Sequence, residues 1–190
     1  MQKYLGLFFG SFLFISFHAK ADILIEPLIG YQLGTKAEID GDDSVSGGMG
    51  PVFGGRVGYQ QLGLQVGLDY LNSSVDMDNE EFKKDLKTTE YAAFIGYEFP
   101  VLFKAYVGYI FSMSGETSIR DDSNGAALST KLNGGSGFKA GVGFTLLPLL
   151  DINLEYRNVT VDDWKVLSFK MNEDLNYSAY TVSLSIPFTL

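Results

Sequence analysis

The chain has no cysteine, which excludes disulfides, thiolate metal sites and cysteine nucleophiles. Its one histidine is His18, close to the N-terminus. Charged residues make up 19% of the sequence, below the usual quarter. Beyond the N-terminal segment, no apolar run approaches the roughly 20 residues that a membrane-spanning helix needs. The composition therefore argues against a helical membrane protein and against cysteine chemistry.

The first 21 residues have the three parts of a secretory signal peptide. The segment begins with one positive charge, continues with apolar residues 5–17, and ends with the small-x-small cleavage site Ala19-Lys20-Ala21. We therefore predict a cleavable signal peptide at 1–21 and a mature domain at 22–190. Cleavage removes two lysines and the histidine, which leaves twelve basic residues against 23 acidic ones and a net charge of −11.

A mature domain without histidine contains no Ser-His, Asp-His or His-metal site. We therefore predict that the protein is not an enzyme and that it holds no metal and no cofactor. A net charge of −11 also argues against nucleic acid as a partner, because nucleic-acid binding needs a basic face.

The stretch 62–70 alternates without exception between two kinds of residue. Even positions are apolar, and odd positions are Gly, Gln or Asp. A period of two indicates a β-strand with two different faces. The polar face is half glycine, which suits the crowded interior of a narrow barrel whose apolar face meets lipid. A soluble carrier barrel would instead need bulky apolar residues on its inner face.

The same alternation recurs in eight segments, separated by connections that are short and long in turn. Short turns are predicted at 60–61, 100–102 and 147–149, and long polar loops at 37–49, 72–86, 115–135 and 159–174. The predicted strands are 23–36, 50–59, 62–70, 87–99, 103–114, 137–146, 150–158 and 175–190. This pattern predicts an all-β fold, an eight-stranded antiparallel up-and-down transmembrane β-barrel with long outer loops, short periplasmic turns and both termini periplasmic.

The turns also predict which residues face each other. A turn at 60–61 puts Tyr59 opposite Leu62 and Arg56 opposite Gln65, with both faces in phase. Further along, Met113 is expected on the lipid face. The hairpin at 100–102 predicts three pairs on the inner face, Glu98 with Lys104 as an ion pair, Gly96 with Tyr106, and Phe94 with Gly108.

Charged residues recur on the inward face of the predicted strands. They are Glu26, Lys36, Arg56, Asp69, Glu90, Glu98, Lys104, Lys139, Asp151, Glu155 and Arg157. Charges inside a narrow barrel must be paired or hydrated. We interpret them as a salt-bridge network that rigidifies the barrel, and the alternative is a polar gate or narrow water path. Eight strands leave an interior just wide enough for side chains, which favours the network.

The predicted loops offer two further candidate sites. Trp164, the one tryptophan, and Phe169 could anchor an extracellular ligand; the alternative is that Trp164 packs on a neighbouring loop. The acidic segments 40–43 and 76–80 could attract divalent cations, but neither matches the EF-hand spacing, and we predict no specific metal site.

The last strand carries apolar or aromatic residues at every second position, from Tyr180 through Phe188 to Leu190. With this strand, the chain resembles over 22–190 the small eight-stranded outer-membrane barrels, the family of OmpA transmembrane domains, OmpX and OmpW. The resemblance implies a bacterial outer-membrane location among lipid and lipopolysaccharide. It also implies an insertion signal at Tyr180, Phe188 and Leu190 for the barrel-insertion machinery, although the family's usual final residue is aromatic.

Two functions remain open from the sequence. The first is a structural or surface scaffold whose acidic extracellular loops serve recognition, adhesion or envelope stability. The second is a narrow OmpW-like channel for small or apolar solutes. Conductance in a planar bilayer distinguishes them.

Overall fold

The computed structural model describes residues 22–39, 43–79, 82–121, 127–147, 149–166, 169–171 and 175–190. Within these ranges the chain forms the strands β1 (Asp22–Ile39), β2 (Asp43–Gln61), β3 (Leu64–Asn79), β4 (Phe82–Phe99), β5 (Phe103–Asp121), β6 (Ala127–Leu147), β7 (Leu150–Val166), β8 (Phe169–Met171), β9 (Leu175–Ser185) and β10 (Phe188–Thr189). The predicted signal peptide lies outside the described residues and stays a prediction.

The strands close into an antiparallel barrel. Each of β1 to β7 pairs with the next, and β9 pairs with both β7 and β1. The short β10 continues β9 along β1 after an interruption at Ile186 and Pro187, so together they form the eighth strand of the wall. The all-β, eight-stranded antiparallel barrel is therefore confirmed. No helix among the described residues is long and apolar enough to cross a membrane.

The apolar rows of the strands face outward. Ile29, Val57 and Leu68 are more than half exposed, whereas Glu26 and Arg157 have no exposed surface. Outward aromatic rings touch across neighbouring strands, as in the pair Tyr70–Tyr91 and in the run formed by Phe99, Phe103 and Phe144. An apolar perimeter bounded by aromatic rings is the surface that a membrane barrel presents to lipid.

The connection between β2 and β3 corrects the predicted register. The turn lies at Leu62 and Gly63, with φ angles of 50° and 83°, and not at 60–61. Tyr59 therefore faces Val66, and Arg56 faces Asp69. The error is four positions, an even number, so every side chain keeps its predicted face. A Cβ at Gly63 would also collide with the carbonyl oxygen of Glu98, so glycine is required there.

The predicted long loops are largely strand. β1 continues to Ile39 and β2 begins at Asp43, and β3 and β4 stay paired as far as Asn79 and Phe82. We call these extensions the four hairpin arms (residues 36–49, 72–87, 114–133 and 160–176), and the barrel end that carries them the arm end. The opposite end, with the short connections, is the turn end. Most of the described outward residues of the arms are polar, so no outward apolar row marks these segments as strands.

Two bulges move individual residues to the opposite face. The β5–β6 register shifts between Ile110 and Met113, and Met113 lies inside with 1% of its surface exposed, not on the lipid face. The β1 register shifts between Gln32 and Thr35, and Lys36 lies outside in an exposed ion pair with Glu38, not on the inner face. An inserted residue reverses the alternation beyond it, and the sequence period does not reveal it.

The interior of the arm end is mainly apolar, and the polar side chains of Gln32, Thr35, Ser73 and Thr88 are buried there as well. We call its apolar part the arm-end cluster, and the buried members of this cluster are Val75, Leu86, Ala92, Ile110, Met113, Leu132, Val159, Val161, Leu175, Tyr177 and Ala179. The outer face beside Val75, Leu86 and Leu132 is polar, with Lys87, Glu116 and Lys131 exposed, whereas Ile110 lies at the edge of the lipid-facing band, between the exposed Tyr109 and Phe111. The arm end is thus built like a water-soluble barrel.

Candidate functional site

The buried charges lie at the level of the apolar perimeter. Four are cations, one each from β2, β5, β6 and β7, and five are carboxylates. Each of the nine is at most 5% exposed: Arg56, Lys104, Lys139, Arg157, Glu26, Asp69, Glu90, Asp151 and Glu155. Strict alternation along each strand brings them inside, and we call them, with the side chains that bond them, the interior network.

Arg56 stands at the centre of the interior network. Its Nε donates to Asp69 Oδ2 at 2.9 Å, and Asp69 is its facing residue on β3. One guanidinium nitrogen donates to Glu155 at 3.3 Å, and the other lies 3.5 Å from Glu26. The guanidinium carbon also lies 4.0 Å from the centre of the Tyr106 ring, a cation–π contact. One arginine therefore links carboxylates from three other strands.

Glu155 receives three cations. Besides Arg56, Lys139 Nζ lies at 3.1 Å, and Arg157 donates through one guanidinium nitrogen at 2.9 Å. Lys139 Nζ also pairs with Asp69. The other terminal nitrogen of Arg157 contacts Glu90 at 3.1 Å. Glu155 therefore joins cations from three strands, β2, β6 and β7, and Arg157 connects it to Glu90 on β4.

Lys104 forms a second group nearer the turn end. Its Nζ lies 2.5 Å from Glu26 Oε1 and 2.7 Å from Asp151 Oδ2. The Ser185 hydroxyl also donates to Glu26 Oε1 at 2.5 Å, and Asn153 Nδ2 donates to Ser185 at 2.8 Å. Because Glu26 is also near Arg56, this group joins the central one.

Glu98 differs from its prediction. The register is confirmed, since Glu98 faces Lys104, Gly96 faces Tyr106, and Phe94 faces Gly108 on β4 and β5. The two charges nevertheless bind elsewhere. The half-buried Glu98 carboxylate accepts hydrogen bonds from Gln60 at 2.8 Å and Gln65 at 3.3 Å. The long lysine side chain reaches inward to Glu26 on β1 and Asp151 on β7. Neither strand is a neighbour of β5, so pairing residues across neighbouring strands cannot predict these partners.

Sequence reasoning left Tyr106 out of the site. Its ring lies under Arg56, and a Cβ added at Gly141 would fall on that ring. Gly96 faces Tyr106 on one neighbouring strand and Gly141 faces it on the other. An inward tyrosine between two glycines is the signal that could have found it, because the missing side chains make the space that the ring fills.

The interior network touches every strand of the wall. Glu26 is on β1, Glu90 on β4, and Thr181 on β9 accepts a hydrogen bond from Arg157 at 3.0 Å. Breaking a buried ion pair leaves an uncompensated charge, so separating these strands would carry an energetic cost. These ion pairs and hydrogen bonds can link the strands of the barrel and fill its lumen.

The remaining candidate positions are described in part. Trp164 lies on β7 and Phe169 on β8, paired as strands and not in a loop, but their side chains lie outside the described residues. Tyr180, Phe188 and Leu190 are exposed on the outer face. Among the described residues no group of three histidine, cysteine or acidic side chains could hold a metal ion. The side chains of 40–43 and 77–80 are outside that description.

Comparisons with known proteins agree with the geometry. Neisserial surface protein A has 17% identity and a TM-score of 0.58, with 87% of this chain and 97% of that one covered. Ail, the attachment invasion locus protein of Yersinia pestis, has 13% identity and a TM-score of 0.57, with 89% and 99% covered. At these identities the likeness shows the fold alone. No curated protein sequence matches this chain.

A family model, described as outer membrane protein beta-barrel domain, matches residues 8–188. That range contains nearly all of the barrel wall, including every charged residue of the interior network. The chain therefore belongs to the outer membrane protein beta-barrel domain family, which places it in the bacterial outer membrane.

Proposed function

We propose that this protein is a closed, non-conducting barrel that serves as a scaffold for its four hairpin arms. The observation that carries the proposal is a lumen filled at two levels. The interior network fills the level of the lipid-facing band, and the arm-end cluster fills the level above it. A water path would need polar lining along its whole length, and the arm-end cluster interrupts it. Eight strands leave no further room beside these side chains.

The proposal includes an orientation. The first described residue, Asp22, pairs near Gln60 at the turn end, and Leu190 bonds to Ile23 there. In outer-membrane barrels the short turns are periplasmic and the longer connections are outside. We therefore place both termini in the periplasm and the arms outside. Tyr180, Phe188 and Leu190, on the outer face of the last strand, are the proposed signal for the barrel-insertion machinery.

Recognition would take place at the arms. Ail of Yersinia pestis has been solved in complex with the heparin analogue sucrose octasulfate, a polyanion. The four arms of this chain contain sixteen acidic and eight basic residues by sequence, which repels a polyanion. We propose a partner with a basic or neutral surface, recognised through the acidic arms with Trp164 and Phe169 as apolar anchors. No catalytic step is assigned, because the sequence after residue 21 has no histidine.

Planar-bilayer recording tests the closed lumen. Purified protein, shown to be folded by a different gel mobility before and after boiling, is inserted into the bilayer beside a general porin as positive control. We expect no unitary current from this protein under conditions in which the porin conducts. Discrete currents would overturn the proposal and favour the alternative, a narrow OmpW-like channel.

A further inference from the structure

The side chain of Lys104 crosses the lumen from β5 to strands that are not its neighbours. Its Nζ lies 2.7 Å from Asp151 Oδ2 on β7 and 2.5 Å from Glu26 Oε1 on β1. Gly143 faces Lys104 on the intervening strand β6, and a Cβ at this glycine would lie only 2.6 Å from Lys104 Cε. Glycine at position 143 therefore leaves the space that the lysine side chain needs on its way to β7.

Among the described residues, Asp151 is the one carboxylate of the interior network that is not paired with an arginine. The other four pair with Arg56 or Arg157, and they are Glu26, Asp69, Glu90 and Glu155. Asp151 pairs with Lys104, and its Oδ1 is buried without a hydrogen-bond partner. Arginine does not lose its proton in proteins, whereas lysine can. Transfer of one proton from Lys104 to Asp151 can therefore leave both partners of this pair neutral.

We propose that Lys104 and Asp151 condense into an amide bond that links β5 to β7 across the lumen. Proton transfer between them first gives an amine and a carboxylic acid. Lys104 Nζ then attacks Asp151 Cγ, so that the Nζ–Cγ bond forms, a Cγ–O bond breaks and one water molecule leaves. One positive and one negative charge disappear together, so the net charge of the interior network does not change. The reaction is a single self-modification and needs no histidine.

Glu26 is placed to move the proton that this condensation requires. Its Oε1 lies beside Lys104 Nζ and accepts a hydrogen bond from Ser185 Oγ at 2.5 Å. Its Oε2 is buried and has no hydrogen-bond partner among the described residues. Glu26 takes a proton from the attacking nitrogen and returns it to the departing oxygen of Asp151, so it ends the reaction as the same carboxylate.

Burial and fixed positions favour the bond. Glu26 is fully buried, and Lys104 and Asp151 are 4% and 3% exposed, so little water reaches the reacting atoms. Two groups held in contact can react as if their concentration were up to about 10⁵–10⁸ M. Because the three residues come from three strands, they meet only when the barrel closes, and the bond should form after folding. This inference does not depend on whether the barrel conducts.

Intact-mass spectrometry under denaturing conditions tests the bond. Protein extracted from the outer membrane is unfolded in urea, and its mass is compared with that of its mature sequence. We expect most molecules to be lighter by exactly one water molecule. After protease digestion, one cross-linked peptide should contain Lys104 joined to Asp151. A full sequence mass, or a loss of water without this cross-linked peptide, would overturn the proposal.

Three variants test the role of each residue. Lys104→Arg keeps the positive charge but removes the attacking amine, so it should keep its full mass. Asp151→Asn should give the same cross-linked product as the unmodified protein, because ammonia leaves in place of water. Glu26→Gln should slow the loss of water during refolding from urea by at least about tenfold, because the proton carrier is missing. An unchanged rate in Glu26→Gln would contradict its assigned role, and loss of water in Lys104→Arg would contradict the bond itself.

Lys36→Arg is the matched control. Lys36 is an exposed lysine of β1 that pairs with Glu38, and its replacement should leave the loss of water unchanged. Folding of each variant is checked by the change of gel mobility on boiling. If a variant does not fold, the mass and the cross-linked peptide of the unmodified protein still decide whether the bond exists.

Discussion

The lipid-facing level of the barrel and its arm end have opposite polarity. At the lipid-facing level, Val57 and Leu68 point outward and Arg56 and Asp69 point inward. In the arms, Val75 and Leu86 are buried inside, while Lys87 is exposed. The wall is continuous, so the strand itself does not impose the arrangement. Lipid outside removes the advantage of burying apolar side chains in the lumen, whereas water outside restores it.

The lipid-facing level and the arm end are also stabilised by different interactions. The lipid-facing level is closed by ion pairs between strands distant in sequence, such as Lys104 with Glu26. The arm end is closed by apolar packing, as in a soluble protein. Perturbations of these two levels should therefore differ in size and in their response to salt and lipid, and three experiments make that comparison.

The largest effect should come from breaking the interior network. Arg157→Met removes the cation bound by Glu90 and Glu155, and it should lower the free energy of unfolding by about 3–5 kcal/mol, because Glu90 stays buried without its ion-pair partner and Glu155 keeps only Arg56 and Lys139. Urea unfolding in lipid vesicles measures the change. Arg157→Met combined with Glu90→Gln should recover part of the loss, because the second change removes the carboxylate that the first leaves without its ion-pair partner. A loss below about 1 kcal/mol would mean that the buried charges do not depend on one another.

An intermediate effect should come from the same substitution on opposite sides of the wall. Ile110→Ala, inside the arm-end cluster, should cost about 2–5 kcal/mol because it leaves a cavity in close-packed surroundings. Ile95→Ala, on the lipid face, should cost less, since acyl chains fill the vacated space. Urea unfolding of both variants in the same vesicles gives the difference. Equal costs would show that the arm-end cluster is not close-packed.

The smallest effect should come from the exposed ion pair of the arms. Glu116→Gln removes the partner of Lys131, and both side chains are about two-thirds exposed, so the free energy of unfolding should fall by less than about 1 kcal/mol. Raising the salt concentration should reduce even this change, because mobile ions screen exposed charges. A loss as large as that of Arg157→Met would contradict the distinction between the two ends.

Part of this structure could be predicted from residue alternation. The rows at 62–70 and 180–190 carry no polar interruption on the face that meets lipid, so their orientation is readable directly. The prediction places the turn at Leu62 and Gly63 two residues too early, because Gln60 and Gln61 also have the polarity of a turn. Every side chain nevertheless lies on its predicted face, because a register shift by an even number of residues preserves both faces.

The bulges and the distant partners could not be predicted. Met113 and Lys36 change face because a single extra residue enters a ladder, and nothing in their own sequence marks the insertion. Lys104 has Glu98 opposite it, but its ammonium group lies with Glu26 and Asp151. Choosing between these acids requires the closed barrel, in which β1, β5 and β7 converge on one narrow lumen.

The sequence by itself determined the class of fold and the face that meets lipid, because an alternating strand in lipid must keep one face apolar and must close to leave no unpaired edge. The tertiary structure alone decided which charges bind each other, and it alone revealed that the arm end is filled with apolar side chains. The physical reason is that these contacts depend on barrel closure and on local bulges, which bring together residues far apart in the chain.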